Sequence, residues 1–226
     1  HLRASASRLG VETLDLVQLH CVPTGVLEDG SLFSIMDDLV EEGLTAHWGA
    51  SVETLAEARI CLAQPGCASL QIIFNLYRQN AAWELFDEAK ANGVGIIVRL
   101  PLASGVLSGK YAKGHVFPES DHRNYNADGA AFSVGETFSG IEMDKAIEAL
   151  ELIHPLVPAG MSLADFALRW ILDHDAVSSV IAGVSRPDQA VRNAAVSDMA
   201  PLSDEVHAEL RRIYRAEIEG LVRCPI

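Results

Sequence analysis

The chain has 226 residues, 49% of them hydrophobic, and a formal net charge of −14 at neutral pH. That acidity argues against nucleic acid and against an anionic membrane surface as partners, and no apolar stretch approaches the roughly 18 residues that span a bilayer. The length suits one large core, expected here as a single α/β barrel-type domain over residues 1–226.

No signal peptide and no Asn-x-Ser/Thr acceptor site is visible. Cys21, Cys61, Cys67 and Cys224 lack metal-ligand spacing, so reduced thiols in a cytoplasmic protein, with no metal, are expected.

In chain order, residues 2–9 read as the body of a helix that stops at Gly10. A chain that opens at His1, inside a helix and without a cap, reads as a fragment lacking its upstream part. Residues 14–20 form the first expected strand, ending on His20. Asp29 or Ser31 is placed to cap a helix over 32–42, which Gly43 stops. A second strand spans 46–51, and Ser51 is placed to cap a helix over 53–62. A third strand over 70–75 leads to a helix over 79–91 with Gly93 as its stop. Residues 95–100 are apolar until Arg99, the pattern of a strand buried on both faces.

The next segment is glycine-spaced and rich in hydroxyls: Pro101-Leu102-Ala103-Ser104-Gly105-Val106-Leu107-Ser108-Gly109-Lys110-Tyr111. Such a loop lets backbone approach a ligand closely and offers N–H and O–H donors to an anion. It is not a Walker A loop, because the spacing is one residue short and Tyr111 stands where the magnesium-binding hydroxyl would be. Residues 103–141 read as a long insertion, and its aromatics Tyr111, Phe117, Tyr125, Phe132 and Phe138 suit either a pocket wall or a small core of its own. Ser162 with Asp165 predicts a capping box before a helix over 166–173. A fifth strand covers 178–183, Ser185 with Asp188 predicts a second capping box with Pro187 in the first turn, and Ser203 caps 204–214.

Strands alternating with helices argue for a parallel sheet with helical crossovers. An open doubly wound sheet and a (β/α)8 barrel both fit. A dinucleotide-binding doubly wound sheet calls for G-x-G-x-x-G, which is absent, whereas about five strands are too few to close a barrel of eight. Polar residues stand at strand ends that should stay apolar: His20, Ser51, Gln71 with Asn75, and Arg99. In a parallel α/β protein this edge binds ligands. Each also has an ordinary use, as a structural imidazole, a helix cap or a partner for loop backbone.

Several segments, in order, resemble the aldo/keto reductase family. Pro101–Tyr111 resembles P-L-x-x-G-x-L-[S/T]-G-K-Y, and residues 5–20 resemble a segment ending D-L-y-q-l-H. Glu41-Glu42-Gly43 with Trp48-Gly49-Ala50-Ser51 resembles E-G-K-i-r-x-x-G-v-S-N, and Gln71-Ile72-Ile73-Phe74-Asn75-Leu76 resembles Q-x-x-Y-N-L. Ala167-Leu168-Arg169-Trp170, Val180-Ile181-Ala182-Gly183, Gln189 and Asn193 complete the series.

The resemblance implies an incomplete (β/α)8 barrel of TIM type that binds NADP(H) and reduces a small-molecule carbonyl by hydride transfer. It implies that His20 orients the carbonyl and supports proton transfer, and that Ser51 and Gln71 bind the nicotinamide carboxamide. The loop through Leu102, Ser104, Gly105, Leu107, Gly109 and Lys110 would hold the pyrophosphate. Gly183, Ser185, Arg186, Gln189 and Asn193 would hold the adenosine end at a helix N-terminus. In the family the Asp, Tyr and Lys partners lie on the first three strands, which precede the segment this chain resembles. Val52 replaces an Asn, Phe74 a Tyr, and Arg99-Leu100 an aromatic-Ser pair, so the Arg99 plane would stack on the nicotinamide or contact the pyrophosphate. Gly183-Val184 replaces a Lys-Ser pair, leaving Arg186 as the cation for a 2′-phosphate and NAD(H) as the alternative cofactor. The competing expectation is a non-catalytic reductase-like module that binds nucleotide or a partner protein. Oligomeric state is not legible.

Overall fold

The computed structural model describes residues 1–225. In chain order the elements are α1 (Leu2–Leu9), β1 (Leu14–His20), α2 (Thr24–Asp29), α3 (Ser31–Glu41), β2 (Thr45–Ser51), α4 (Leu55–Leu62) and β3 (Cys67–Ile73). Then come α5 (Ala81–Glu84), α6 (Phe86–Ala91), β4 (Gly95–Arg99), α7 (His122–Tyr125), α8 (Met143–Ile153), α9 (Leu163–Leu172), β5 (Val177–Val180), α10 (Pro187–Ala195) and α11 (Asp204–Ile213). The strands form one parallel sheet in the order β1-β2-β3-β4-β5. A doubly wound sheet reverses its strand order at a switch point. This one never does, and its architecture is that of an incomplete (β/α)8 barrel.

One face of the sheet carries the core. Trp48, Ala50, Leu70, Ile72, Ile96 and Val98 are buried against the helices. Phe33 of α3 stacks on Trp48 with ring centroids 5.6 Å apart, and the indole N–H donates to Asp37 Oδ1 at 2.7 Å. Removing a side chain such as Phe33 from water contributes about 2 kcal/mol. Because side chains alternate along a strand, the other face presents Gln18 and His20, Gly49 and Ser51, Ser69 and Gln71, Ile97 and Arg99. A barrel interior is normally layered with Val, Ile and Leu; this face is largely polar.

The helix starts differ from the sequence expectations in instructive ways. Ser51 caps nothing. The chain stays extended past it, and Thr54 forms the capping box, accepting from Glu57 N at 3.1 Å while Glu57 accepts from Thr54 N at 3.2 Å. Neither Asp29 nor Ser31 caps α3, because the unforeseen α2 ends on left-handed Gly30 immediately before it, and the Ser31 hydroxyl turns to Asp29 instead. The helix expected over 79–91 is split at Leu85, whose φ of −136° leaves helical space. Ser162 caps α9, which starts at Leu163, but the expected box is only half formed, since the Asp165 carboxylate accepts from the Ser162 hydroxyl instead of its N–H; Ser203 caps α11. At α10 the side chain that reaches back is Gln189, not Asp188. The helix α8 was not foreseen at all.

The insertion over residues 103–141 is hydrogen-bonded throughout. Its turns are Ala103–Ser108, Val134–Glu136 and Phe138–Gly140. Fully buried Asn126 donates to Thr137 Oγ1 at 3.0 Å and accepts from the N–H groups of Ala131 and Phe132, both at 2.9 Å. Arg223, near the other end of the chain, binds Asp128 and the carbonyls of Ala127 and Gly140. Among the described residues no helix is long and apolar enough to cross a membrane.

Candidate active site at the C-terminal edge of the sheet

Three of the polar strand-end residues stand in one row. His20 pairs in register with Ser51, and Ser51 with Gln71. The His20 side chain is exposed, Ser51 is buried and Gln71 is half-buried. The Ser51 hydroxyl lies 3.5 Å from Gln71 Oε1. Directly after His20 the chain turns sharply: Cys21 takes a φ of 46°, and its N–H donates to Ser51 O at 2.8 Å. Burial pushes the Cys21 thiol pKa up, outweighing the opposing pull of Arg99.

Arg99 does not offer a free guanidinium plane to a ligand. It is only 8% exposed. One terminal nitrogen is ion-paired with Glu136 of the insertion, and the other donates to Val52 O at 3.0 Å. Its Nε has no hydrogen-bond partner among the described residues. Burial pulls its pKa down, partly offset by Cys21 and Glu53. The ligand atoms of Cys21, Glu53 and Glu136 lie within 4.8 Å of one another. The positive charge at this cluster is already supplied by Arg99, which makes a poor metal site of it.

Asn75, at the expected end of the third strand, lies just beyond β3 and is fully buried. It donates at 2.8 Å both to Leu100 O and to Ser139 Oγ, which is the loop-satisfying use of such a residue.

The loop after β4 is shaped by left-handed residues: Ala103, Ser104, Gly105 and Gly109 all have positive φ. A Cβ on Gly105 would meet the Tyr111 ring at 3.2 Å, so glycine serves both torsion and space there. Ser104 Oγ accepts from Phe138 N at 3.0 Å. Leu102 is half-buried and Leu107 fully buried in the core, so any contact Leu107 makes with a ligand is through backbone. Lys110 is exposed, with Nζ 4.8 Å from the centroid of the Tyr111 ring.

The remaining expected residues lie apart, beyond β5. Gly183, Ser185 and Arg186 are exposed. Gln189 Oε1 accepts from Ser185 N at 2.7 Å and Arg186 N at 3.2 Å, while the Arg186 guanidinium binds the Asp188 carboxylate at 3.1 Å. Asn193 lines a groove of about 450 Å³ between β5, α9 and α10. Sequence reading missed Gln18, Glu53 and Glu136. For Gln18 a signal existed, since it lies two residues before His20 and therefore on the same face.

Residues 1–215 match the family model described as Aldo/keto reductase family. The chain is 31% identical over 212 residues to a probable voltage-gated potassium channel subunit beta from Oryza sativa subsp. japonica, covering 89% of this chain and 61% of that protein. Among solved structures it resembles a glycerol dehydrogenase from Gluconobacter oxydans, with TM-score 0.74 and 24% identity over 100% of this chain and 64% of that one. It also resembles an aldo/keto reductase from Klebsiella pneumoniae in complex with NADP and acetate, with TM-score 0.62 and 21% identity over 94% of this chain and 63% of that one. The chain thus spans about three-fifths of the length of these proteins.

Proposed function

Because this chain belongs to the aldo/keto reductase family, we propose that it is the cofactor-holding part of an NADP(H)-dependent oxidoreductase that reduces an aldehyde or ketone to an alcohol. The row His20, Ser51, Gln71, one residue per strand, carries this reading. When bound, the dinucleotide supplies the hydride from its nicotinamide ring. Ser51 and Gln71 bind the ring's carboxamide and so fix which ring face meets the substrate. His20, exposed beside them, donates an N–H to the carbonyl oxygen, where negative charge develops as hydride arrives at carbon.

The residues fit such a cofactor in two respects. Gln71 keeps hydrogen-bonding capacity beyond its protein partners, and the left-handed loop Ala103–Ser108 brings backbone to the same sheet edge without a side chain at Gly105. Arg186 stands at the N-terminus of α10, where a 2′-phosphate would discriminate NADP(H) from NAD(H).

A second reading is favoured by the likeness to a probable channel subunit: a reductase-like module that binds nucleotide and a partner protein without turnover. Binding of NADPH and NADH by the full-length protein, followed by NADPH oxidation across an aldehyde panel such as nitrobenzaldehydes, separates the two. Turnover supports the reductase, binding without turnover supports the module, and failure to bind either nucleotide removes both.

A further inference from the structure

Gln18 lies in the middle of β1, and the register pairs it with Gly49 of β2, which pairs in turn with Ser69 of β3. Gly49 has no need of a left-handed backbone, for its φ is not positive. What it provides is room. A Cβ there would lie 2.2 Å from Ser69 Oγ and 2.5 Å from Ser69 O. That room is taken by Ser69, and the Gln18 side chain reaches it from β1 across the width of β2. Its Nε2 donates to Ser69 Oγ at 3.3 Å, and its Oε1 accepts from Gln71 Nε2. Gln71 Oε1 then faces the Ser51 hydroxyl. A continuous chain of hydrogen bonds therefore runs from Ser69 through Gln18 and Gln71 to Ser51.

An amide has an oxygen end that accepts and a nitrogen end that donates. Reversing Gln71 alone would set its oxygen against the oxygen of Gln18, so the two amides can turn only together. We propose that Gln18 is a positioning residue: by coupling the amide of Gln71 to its own from across β2, it stops Gln71 from turning alone and so limits the hydrogen-bonding patterns offered to a nicotinamide carboxamide. This rests on the reading that Gln71 binds that carboxamide. A free Gln71 amide could rotate to satisfy a misplaced ring; a coupled one turns only if Gln18 turns with it, which resists that adjustment. The effect is confined to the nicotinamide half of the cofactor, because the adenosine half lies beyond β5.

The test compares affinities of the full-length protein for NADPH and for 2′-phospho-ADP-ribose, which lacks the nicotinamide. Gln18→Met keeps the length of the side chain and removes both hydrogen bonds. It is expected to weaken NADPH about tenfold and leave the fragment within about twofold. Gln18→Glu keeps an acceptor for the Gln71 N–H and is expected to recover most of the NADPH affinity. Ser69→Ala releases the far end of the chain without touching β1, with an expected loss of about threefold for NADPH alone. Gln71→Ala serves as the reference. If it weakens NADPH selectively while Gln18→Met weakens both ligands equally or neither, the positioning role is overturned and the site assignment stands. If Gln71→Ala itself leaves the NADPH-to-fragment ratio unchanged, the site assignment fails and the role of Gln18 falls with it. Should Gln18→Met not fold, an unchanged ratio in Ser69→Ala overturns the proposal.

Discussion

Arg99, the last residue of β4, is ion-paired with Glu136, 37 residues further along the chain. The pair fastens the insertion to the edge of the sheet, and two neighbours do the same. Ser104 Oγ bridges Glu136 O and Phe138 N, and Asn75 holds Ser139 Oγ. The segment at residues 136–139 is thus stitched to the ends of β3 and β4 and to the loop beyond β4.

Removing only one charge of this pair should hurt more than removing the other. The two side chains are 10% and 24% exposed. Glu136→Gln leaves the Arg99 guanidinium buried without its counter-charge, at a cost of about 1–3 kcal/mol after allowance for the partial exposure of Glu136. Arg99→Met removes the buried charge itself while keeping an apolar stem, and is expected to cost less. Urea unfolding of the two variants checks the order; a larger loss for Arg99→Met would show that the guanidinium's other bond, to Val52 O, matters more than the pair.

Arg186 is exposed and already engaged by Asp188, whose carboxylate raises the arginine's pKa while its own is lowered by the same contact. Asp188→Asn frees the cation for a 2′-phosphate. The expected outcome is an increase of about threefold in the preference for NADPH over NADH, and a decrease with Arg186→Ala. Affinity ratios at low and high salt check both; a preference that ignores both substitutions would place 2′-phosphate recognition elsewhere.

His174 governs part of the response to acid. It is packed among Phe74, Phe86 and Trp170, with its Nδ1 2.9 Å from Trp170 O and the His207 ring 5.6 Å away. Burial, reinforced by His207 and opposed by the backbone at Trp170 and Ile171 and more weakly by Asp173, lowers its pKa. The unfolded chain therefore takes up this proton more readily than the folded one, so stability falls as pH drops below the unfolded value of about 6.5. His174→Gln should flatten the fall that sets in as pH drops through about 6.5. Thermal unfolding on either side of that pH checks this. Asp121, whose carboxyl is held down by its bond to Arg123, acts separately: its contribution is present above the ordinary carboxylate range and lost below about pH 4.

The parts of this molecule that a linear reading reaches are those set by local pattern. The apolar runs of β3 and β4 and the capping residues Ser162 and Ser203 announce themselves over a few neighbouring positions. His20 and Ser51 stand out as polar breaks at the ends of such runs, and Gln71 as one inside a run. Ser51 misled as a cap because Thr54, three residues on, has the complete Thr-x-x-Glu box, and both suit a helix start. The pairing of Arg99 with Glu136 was out of reach, since no periodicity links a strand end to a distant glycine-rich turn. Gln18 was overlooked for a related reason: its partners lie two strands away, across a glycine whose meaning appears only once the strands are side by side.

That glycine also constrains how the sheet can change over evolutionary time. Gln18, Gly49 and Ser69 sit on three strands far apart in sequence, yet their fates are tied. Trimming Ser69 to alanine would clear the nearer clash for a larger residue at 49, but the Ser69 backbone oxygen, 2.5 Å from the would-be Cβ, would still forbid it. No order of single side-chain replacements at these sites opens the position. Escape requires the strands themselves to shift, and until they do, position 49 is closed to everything but glycine and the crossing at 18 stays open.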